Sequence, residues 1–324
     1  MDVNKESKIL IVGGLGYVGG RLAHYLASQG YADVALTTTR EQYPEWAQSY
    51  EIGHLDLRSE SSIRGCLEEI QPEILIHLGG MQQAQCQTEP EGAAKVNAAG
   101  MDSLLYVALD LGVRRCVYLS SFQVYGDFTG TITEETPPKP RTVYAETKLR
   151  GEDVARRYRE KGLSVAVLRL SNAYGYPMDN SVAESVWSLA VNAFCRRVVQ
   201  EGRLTIKSNQ YRDFIPMFDA VRGIEHAMNM EEDRLTDGLF NLGGDNCVQI
   251  KEIAQRVVRI YADLDPEAEP VLEGPTEDLD KVFQPFDYRI DKIKDTGFEL
   301  QGDMDQTIRT TLQFCREHMS SSLP

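Results

Sequence analysis

Cysteine, basic charge and long apolar runs are all scarce in this chain, and each shortage excludes something. Only six cysteines occur in 324 residues (Cys66, Cys86, Cys116, Cys195, Cys247 and Cys315), and none stands in C-x-x-C spacing. That pattern predicts reduced thiols in a cytoplasmic protein and no zinc site. Lysine and arginine number 34 against 49 acids, a formal net charge of −15. A chain so short of cations offers no basic face for nucleic acid or an anionic membrane. No apolar stretch is long enough to span a bilayer. Asp2, Lys5, Glu6 and Lys8 precede the first short apolar run, which does not fit a signal peptide. No internal repeat or low-complexity segment interrupts the sequence, and the tail 320–324 reads as disordered.

What the chain does have is a strand, a glycine turn and a helix in close succession. Ile9-Leu-Ile-Val12 is a short β-branched apolar run, followed by Gly13, Gly16 and Gly19. Val18, Leu22, Tyr25 and Leu26 then fall on one helical face. A helix N-terminus behind a glycine turn gathers backbone N–H groups and the positive end of the helix dipole, so it suits an anion. This is the beginning of a dinucleotide fingerprint, in which Tyr17 and Val18 also line the cofactor.

Further strand-like runs lie at Val34–Thr38, Ile74–Leu78, Cys116–Ser120 and Val165–Leu170. Helical patterns alternate with them at 18–29, 60–70, 91–111, 144–161 and 181–200. The alternation predicts an α/β fold, a doubly wound parallel (Rossmann) sheet over residues 1–175. Past about residue 175 the character changes: a helical stretch, a short Leu204–Lys207 strand, the segment Arg212–Asp219 and an acidic, proline-containing region at 262–280. These residues, 176–319, are read as a smaller C-terminal substrate-binding lobe, interleaved with returns to the main sheet.

The residues after the second strand bear on cofactor choice. An acid about twenty positions beyond the glycines pairs with a ribose 2′-hydroxyl and marks NAD. Here Leu36-Thr37-Thr38-Thr39-Arg40 contains no acid. Thr38 and Arg40 therefore favour a 2′-phosphate and NADP(H), while an Arg40 that is merely solvated leaves NAD(H) open. Asp56, with Leu57, follows the third strand; its carboxylate serves either the adenine amino group or the N-cap of the next helix.

Tyr144-Ala-Glu-Thr-Lys148 places a phenol and an ammonium four residues apart, on one face of a helix. A lysine charge stabilises a phenolate and lowers the phenol pKa, so the pair suits proton exchange with a carbinol or carbonyl oxygen. The alternative is a solvated surface pair. Ser120-Ser121 ends a buried strand just upstream, at the sheet edge where ligands bind.

Together these segments resemble the extended short-chain dehydrogenases/reductases, in particular the nucleotide-sugar epimerase, dehydratase and ketoreductase group. The resemblance runs from Gly13–Gly19 through Asp56-Leu57, His77-Leu78-Gly79-Gly80, Val96-Asn97, Ser120-Ser121 with Val124-Tyr-Gly126, Thr133–Pro137 and Tyr144 with Lys148. It continues through Arg169–Gly175, Arg212–Pro216 and Phe240–Gly244. It implies that Tyr144 is the general acid/base, that Ser121 bonds the reacting oxygen, and that Lys148 tunes Tyr144 and contacts the nicotinamide ribose. It places Leu78, Gly79, Gly80 and Asn97 along the cofactor, and Asn172 and Arg212 at the substrate diphosphate. It also implies a homodimer through helices near 91–111 and 144–161, with apolar surface from Leu104, Leu105, Val107 and Ala108.

The departures narrow the chemistry. Ser121-Phe122-Gln123 stands where 4,6-dehydratases carry Thr-Asp-Glu, so the acids for water elimination are missing. Phe122 replaces the cysteine base of epimerase–reductases, and Cys86 reads as a buried thiol. Pro216 follows Arg-Asp-Phe-Ile where histidine is frequent. The expected activity is NADP(H)-dependent reduction of a keto group, at C4, on a nucleotide-linked sugar. A nucleotide-sugar 4-epimerase is the alternative, and a non-catalytic dinucleotide-binding sensor is the alternative of another class.

Overall fold

A computed structural model describes residues 5–180, 182–277 and 281–319; the tail 320–324 lies outside them. The centre is a seven-stranded sheet, and every neighbouring pair in it is parallel. From one edge to the other the strands are Leu239–Leu242, Ser164–Leu170, Arg115–Ser121, Ile74–His77, Ile9–Val12, Val34–Thr38 and Glu51–His54. Both faces are covered, as a parallel sheet requires. Alternate residues of one strand serve opposite layers. Ile9 and Ile11 join one core with Leu22 and Leu26 of helix Tyr17–Ser28 and Val221 and Ile224 of helix Met217–Asn229. Leu10 and Val12 join the other with Ile63, Leu67, Leu104, Leu105 and Val154. Each side chain fully buried in this way contributes roughly 1.5–3 kcal/mol.

The order of strands reverses between Ile9–Val12 and Ile74–His77, with Val12 aligned on His77. The carboxyl ends of these strands make the crevice in which a ligand of such a sheet sits. A third core gathers helices Ala190–Glu201, Ile250–Leu264 and Met304–Met319 around Trp187, Phe194, Phe214 and Leu312. Two later strands pair with earlier parts of the chain, the first in the central sheet and the second in a separate two-stranded sheet. Leu239–Leu242 pairs with Ser164–Leu170, and strand Phe286–Tyr288 pairs with Gly130–Ile132.

Three elements differ from the sequence pattern. The helix expected over 91–111 is Pro90–Ala93, a wide π-turn at Ala94–Ala99, then Gly100–Asp110. The extra residue in that turn aims Asn97 inward, a device common at functional sites. The pattern at 181–200 is a short turn Glu184–Ser188 followed by helix Ala190–Glu201, with extended backbone at Leu189 between them. The run 212–219 splits at Pro216: the strand Tyr211–Pro216 ends and helix Met217–Asn229 begins, because the fixed φ of proline suits a helix entry. Leu104, Leu105, Val107 and Ala108 are all 0 % exposed. They pack on the chain's own sheet, so the apolar dimer surface expected from them is not there; the outer face of these helices carries Tyr106, Asp102, Arg150 and Arg157 instead.

Candidate active site

Two glycine loops pressed together form the floor of the crevice. Gly13 has φ +82°, and a Cβ there would stand 2.8 Å from the Gly79 Cα. A Cβ at Gly19 would stand 2.4 Å from the Gly13 carbonyl oxygen. Only glycine permits this approach. The Gly16 N–H donates to the Gly13 oxygen at 3.0 Å, which closes the turn. Helix Tyr17–Ser28 then starts with no side-chain cap and no acid in its first turn. Its first N–H groups and its positive dipole end are left for an anion, so these residues fit the pyrophosphate of a dinucleotide.

The flanking side chains divide between structure and site. Tyr17 donates its hydroxyl to the Gly175 carbonyl at 2.7 Å and accepts from the Asn192 amide at 3.1 Å. It thereby ties the glycine helix to the second half of the chain, while Val18 beside it is half-buried. Thr37, not Thr38, is the threonine that touches the glycine turn: it is buried and its Oγ1 accepts the Gly13 N–H at 3.3 Å. Thr38 is half-buried and its Oγ1 accepts the Arg40 N–H at 3.0 Å. Arg40 is exposed and, among the described residues, pairs with no carboxylate.

Asp56 is not the cap of the next helix; Ser59 is, accepting the Ser62 N–H at 3.2 Å. Asp56 instead holds Arg58 through a two-toothed pair at 2.7 to 3.1 Å. The Arg58 guanidinium holds the Asp56 carboxyl below the usual carboxylate range. Leu57 is buried where Gly100 presses on it. Leu78 and Gly79 line the crevice half-buried, and Gly80 is exposed with φ +150°. Asn97 is 2 % exposed. It accepts the Met81 N–H at 2.7 Å, donates to the Met81 oxygen at 3.2 Å and to Thr147 at 3.0 Å. Asn97 thereby links the loop after Gly80, through Met81, to Thr147 on the helix that carries Tyr144.

Ser121 is the last residue of its strand, and its Oγ accepts the Gln123 N–H at 3.3 Å. Tyr144 and Lys148 lie on helix Val143–Glu160, which Thr142 caps by accepting the Ala145 N–H at 3.2 Å. The helix brings both side chains up to Ser121, so that all three meet in one place. Burial pushes the Tyr144 phenol up to about 12, against the smaller downward pull of its Ser121 hydroxyl partner. This differs from the lowering expected of a neighbouring lysine charge. The Lys148 ammonium lies 5.9 Å from the centre of the Tyr144 ring and donates to the Leu119 carbonyl at 2.9 Å. Lys148 is itself drawn down to about 8 by burial, against the pull of Cys86 and Glu152. Cys86 is a buried thiol donating to the Met81 oxygen at 3.3 Å, its pKa raised by burial.

On the substrate side, strand alternation separates two neighbours. Asp213 faces inward, 1 % exposed, accepting the Gly244 and Asn246 N–H groups at 2.9 and 3.1 Å; burial raises its carboxyl to about 6. Arg212 faces the other way, half-buried and bound only to neutral oxygens, the Tyr211 carbonyl at 2.9 Å and the Gln210 amide. No carboxylate among the described residues compensates it, and burial pulls its pKa down. Such a fork is available to an anion. Asn172, half-buried, donates to the Asp213 carbonyl at 2.7 Å, which places it one strand across from Arg212 at the same sheet edge.

Sequence patterning missed a buried network directly behind Ser121. Glu152 and Arg169 pair at 2.7 Å with 8 % and 4 % of their side chains exposed. Ser120 donates to the same carboxylate. The Arg169 guanidinium lies 4.7 Å from the Tyr125 ring centre. The signal available was Glu152 four residues beyond Lys148, and an arginine inside the apolar run 165–170. Among the described residues no cluster of side chains could hold a metal ion, and no helix is long and apolar enough to cross a membrane.

Known proteins bear on this arrangement. A dTDP-L-rhamnose 4-epimerase of Burkholderia thailandensis is 26 % identical over 318 residues, covering 82 % of this chain and 85 % of that one. The fold matches the UDP-glucose 4-epimerase of Thermus thermophilus in complex with NAD, with a TM-score of 0.80 and 21 % identity over 95 % of this chain and 99 % of that one. It also matches RMD from Pseudomonas aeruginosa complexed with NADPH, with a TM-score of 0.76 and 23 % identity over 96 % and 98 %. The model of the NAD dependent epimerase/dehydratase family matches residues 9–243. With its crevice, its paired glycine loops and its Ser121, Tyr144 and Lys148 in one place, this chain belongs to that family, the extended short-chain dehydrogenases/reductases, and is an NAD(P)-dependent enzyme of the nucleotide-sugar epimerase/dehydratase type.

Proposed function

We propose that the enzyme reduces a keto group at C4 of a nucleotide-linked sugar. The convergence of Ser121, Tyr144 and Lys148 at the sheet edge supports oxidoreduction at a sugar carbon, and the acid-free stretch Thr37–Arg40 carries the choice of reduction, because a consumed reductant is usually NADPH whereas an epimerase recycles a bound NAD. Tyr144 stays protonated across the neutral range and gives its proton to the keto oxygen, which Ser121 orients. Lys148 steadies the charge left on Tyr144 and reaches the ribose beside it. Arg212 and Asn172 hold the diphosphate. Gly13, Gly16, Tyr17, Val18, Gly19, Asp56, Leu57, Leu78, Gly79, Gly80 and Asn97 shape the cofactor bed. When bound, a nicotinamide cofactor supplies the hydride. NADP(H) is the preferred form, supported by the unpaired Arg40 and the absence of an acid in Thr37–Arg40; NAD(H) is the alternative.

The second reading, a 4-epimerase using the same residues for transient oxidation, is favoured by the rhamnose epimerase likeness. A panel of nucleotide 4-keto sugars with NADPH separates the two. Net loss of NADPH supports the reductase, isomerisation without net cofactor change supports the epimerase, and neither outcome with any sugar overturns both. A homodimer through helices Gly100–Asp110 and Val143–Glu160 belongs to the same proposal, and light scattering at micromolar concentration tests it.

A further inference from the structure

Lys148 is buried, and a buried ammonium needs more than one carbonyl to remain charged. The groups that face it come from four elements. Tyr144 and Glu152 share its helix, Cys86 approaches from helix Gln83–Thr88, Leu119 offers its carbonyl, and Tyr118 and His77 stand on adjacent central strands. Glu152 is already engaged by Arg169 and Ser120, and Cys86 is a neutral thiol at neutral pH. Of the two phenol rings that face the ammonium, that of Tyr118, 1 % exposed, is the nearer, its centre 5.0 Å away against 5.9 Å for Tyr144.

The surroundings hold that ring still. A Cβ at Gly151, one turn beyond Lys148, would stand 2.3 Å from the Tyr118 hydroxyl, so the helix rests directly on the ring. His77 stacks on the same ring, with centres 5.5 Å apart and planes 22° from parallel. The His77 Nδ1 is buried and has no hydrogen-bond partner. Burial and the Lys148 charge pull the imidazole down to about 3, which leaves it neutral. A charged imidazole here would repel the ammonium; a neutral ring only fixes the plane of Tyr118.

We infer that Tyr118 is a positioning residue of the active site, whose ring face seats the Lys148 ammonium by a cation–π contact while the neutral His77 ring braces it. The attraction comes from the negative face of the ring and grows when water is excluded. It acts through Lys148, so it deepens the proposed function and rests on that reading for its catalytic meaning.

The test varies the ring's electron density without its shape. Tyr118→Phe keeps the face, and mono-, di- and trifluorinated phenylalanines at position 118 weaken it stepwise. The readout is the pH titration of the Lys148 ¹³Cε resonance in protein labelled with [¹³C]lysine, assigned by its disappearance in Lys148→Met. Neither sugar nor cofactor is needed. The Phe variant should titrate as the natural protein does, and the midpoint should fall with each fluorine, by about one pH unit over the series, a roughly tenfold loss of proton affinity. A midpoint that is constant along the fluorinated series overturns the inference, whatever its level, because packing alone is unchanged. That result is separate from failure of the sugar panel, which would overturn the proposed reaction and leave this contact standing.

Discussion

Lys148→Met should make the apoprotein more stable while making the enzyme worse. The magnitude follows from the burial of Lys148. Its pKa falls from the ordinary 10.5 to about 8 on folding, which corresponds to about 3 kcal/mol. The sign follows from proton counting. Between those two values the unfolded chain still holds the lysine proton and the folded chain has released it. Wild-type stability therefore rises with pH across this window. The penalty is complete below pH 8 and gone above 10.5. Methionine fills similar volume without the charge, but it leaves the Leu119 carbonyl without its 2.9 Å partner, a loss of roughly 1–3 kcal/mol. At pH 7 the mutant should gain up to about 2 kcal/mol. Its advantage should shrink by about 3 kcal/mol on going to about pH 10.5. Urea unfolding of both apoproteins at the two pH values measures this. Tyrosines and cysteines that ionise at alkaline pH do so in both proteins and cancel in the difference. Parallel stability curves for mutant and wild type would refute the reasoning, since they would mean that Lys148 folds without a shift. Weaker NADPH binding in the same mutant is expected, the familiar exchange of stability for function.

Tyr144→Phe keeps the ring and removes the transferable proton, so turnover should fall by roughly two to four decades with folding and cofactor binding intact; Ser121→Ala should be milder, and single-turnover rates compare them. Arg40→Ala should weaken NADPH by roughly 1.5–3 kcal/mol and NADH hardly at all; fluorescence titration of both cofactors decides it, and a wild-type preference for NADH contradicts the assignment. Glu152→Ala strands the Arg169 guanidinium in the interior and should destabilise the fold by roughly 3–5 kcal/mol in urea unfolding, whereas a loss below about 1 kcal/mol would mean that water reaches the pair.

Five of the seven sheet strands were legible because three or four consecutive apolar residues, many β-branched, admit little else between turn residues; Ile9–Val12 and Val165–Leu168 are examples. The glycine spacing and Tyr144 with Lys148 were legible because backbone approach and helical pitch leave fixed spacings. Other parts depend on contacts between residues far apart in the chain. Thr37 and Thr38 look equivalent in sequence, and only strand alternation decides which one holds the glycine turn. The π-turn at Ala94–Ala99 is written in ordinary helix formers, and Asn97 shows its purpose only beside Met81 and Thr147. Leu104, Leu105, Val107 and Ala108 were legible as apolar, but an apolar helix face does not say which neighbour covers it. Arg169 inside an apolar run makes sense only with Glu152 beside it.

The late return of Leu239–Leu242 to the sheet has a consequence for how the protein is made. Its neighbour Ser164–Leu170 has six of seven residues buried in the finished structure. Arg115, also in the sheet and 0 % exposed, donates to the carbonyls of Met228 and Met230. Neither strand Leu239–Leu242 nor those two carbonyls exist when the other six strands of the sheet have left the ribosome. At about 5–20 residues per second, the nascent chain waits roughly 4–15 seconds between residue 170 and residue 242. During that time it shows an unpaired apolar strand edge, the feature most prone to pairing with another chain. The sheet therefore closes only when most of the polypeptide has been synthesised. A fragment ending near residue 175 keeps the whole glycine fingerprint yet displays that open edge permanently, so expressing the cofactor half alone should yield aggregate rather than a soluble nucleotide-binding module.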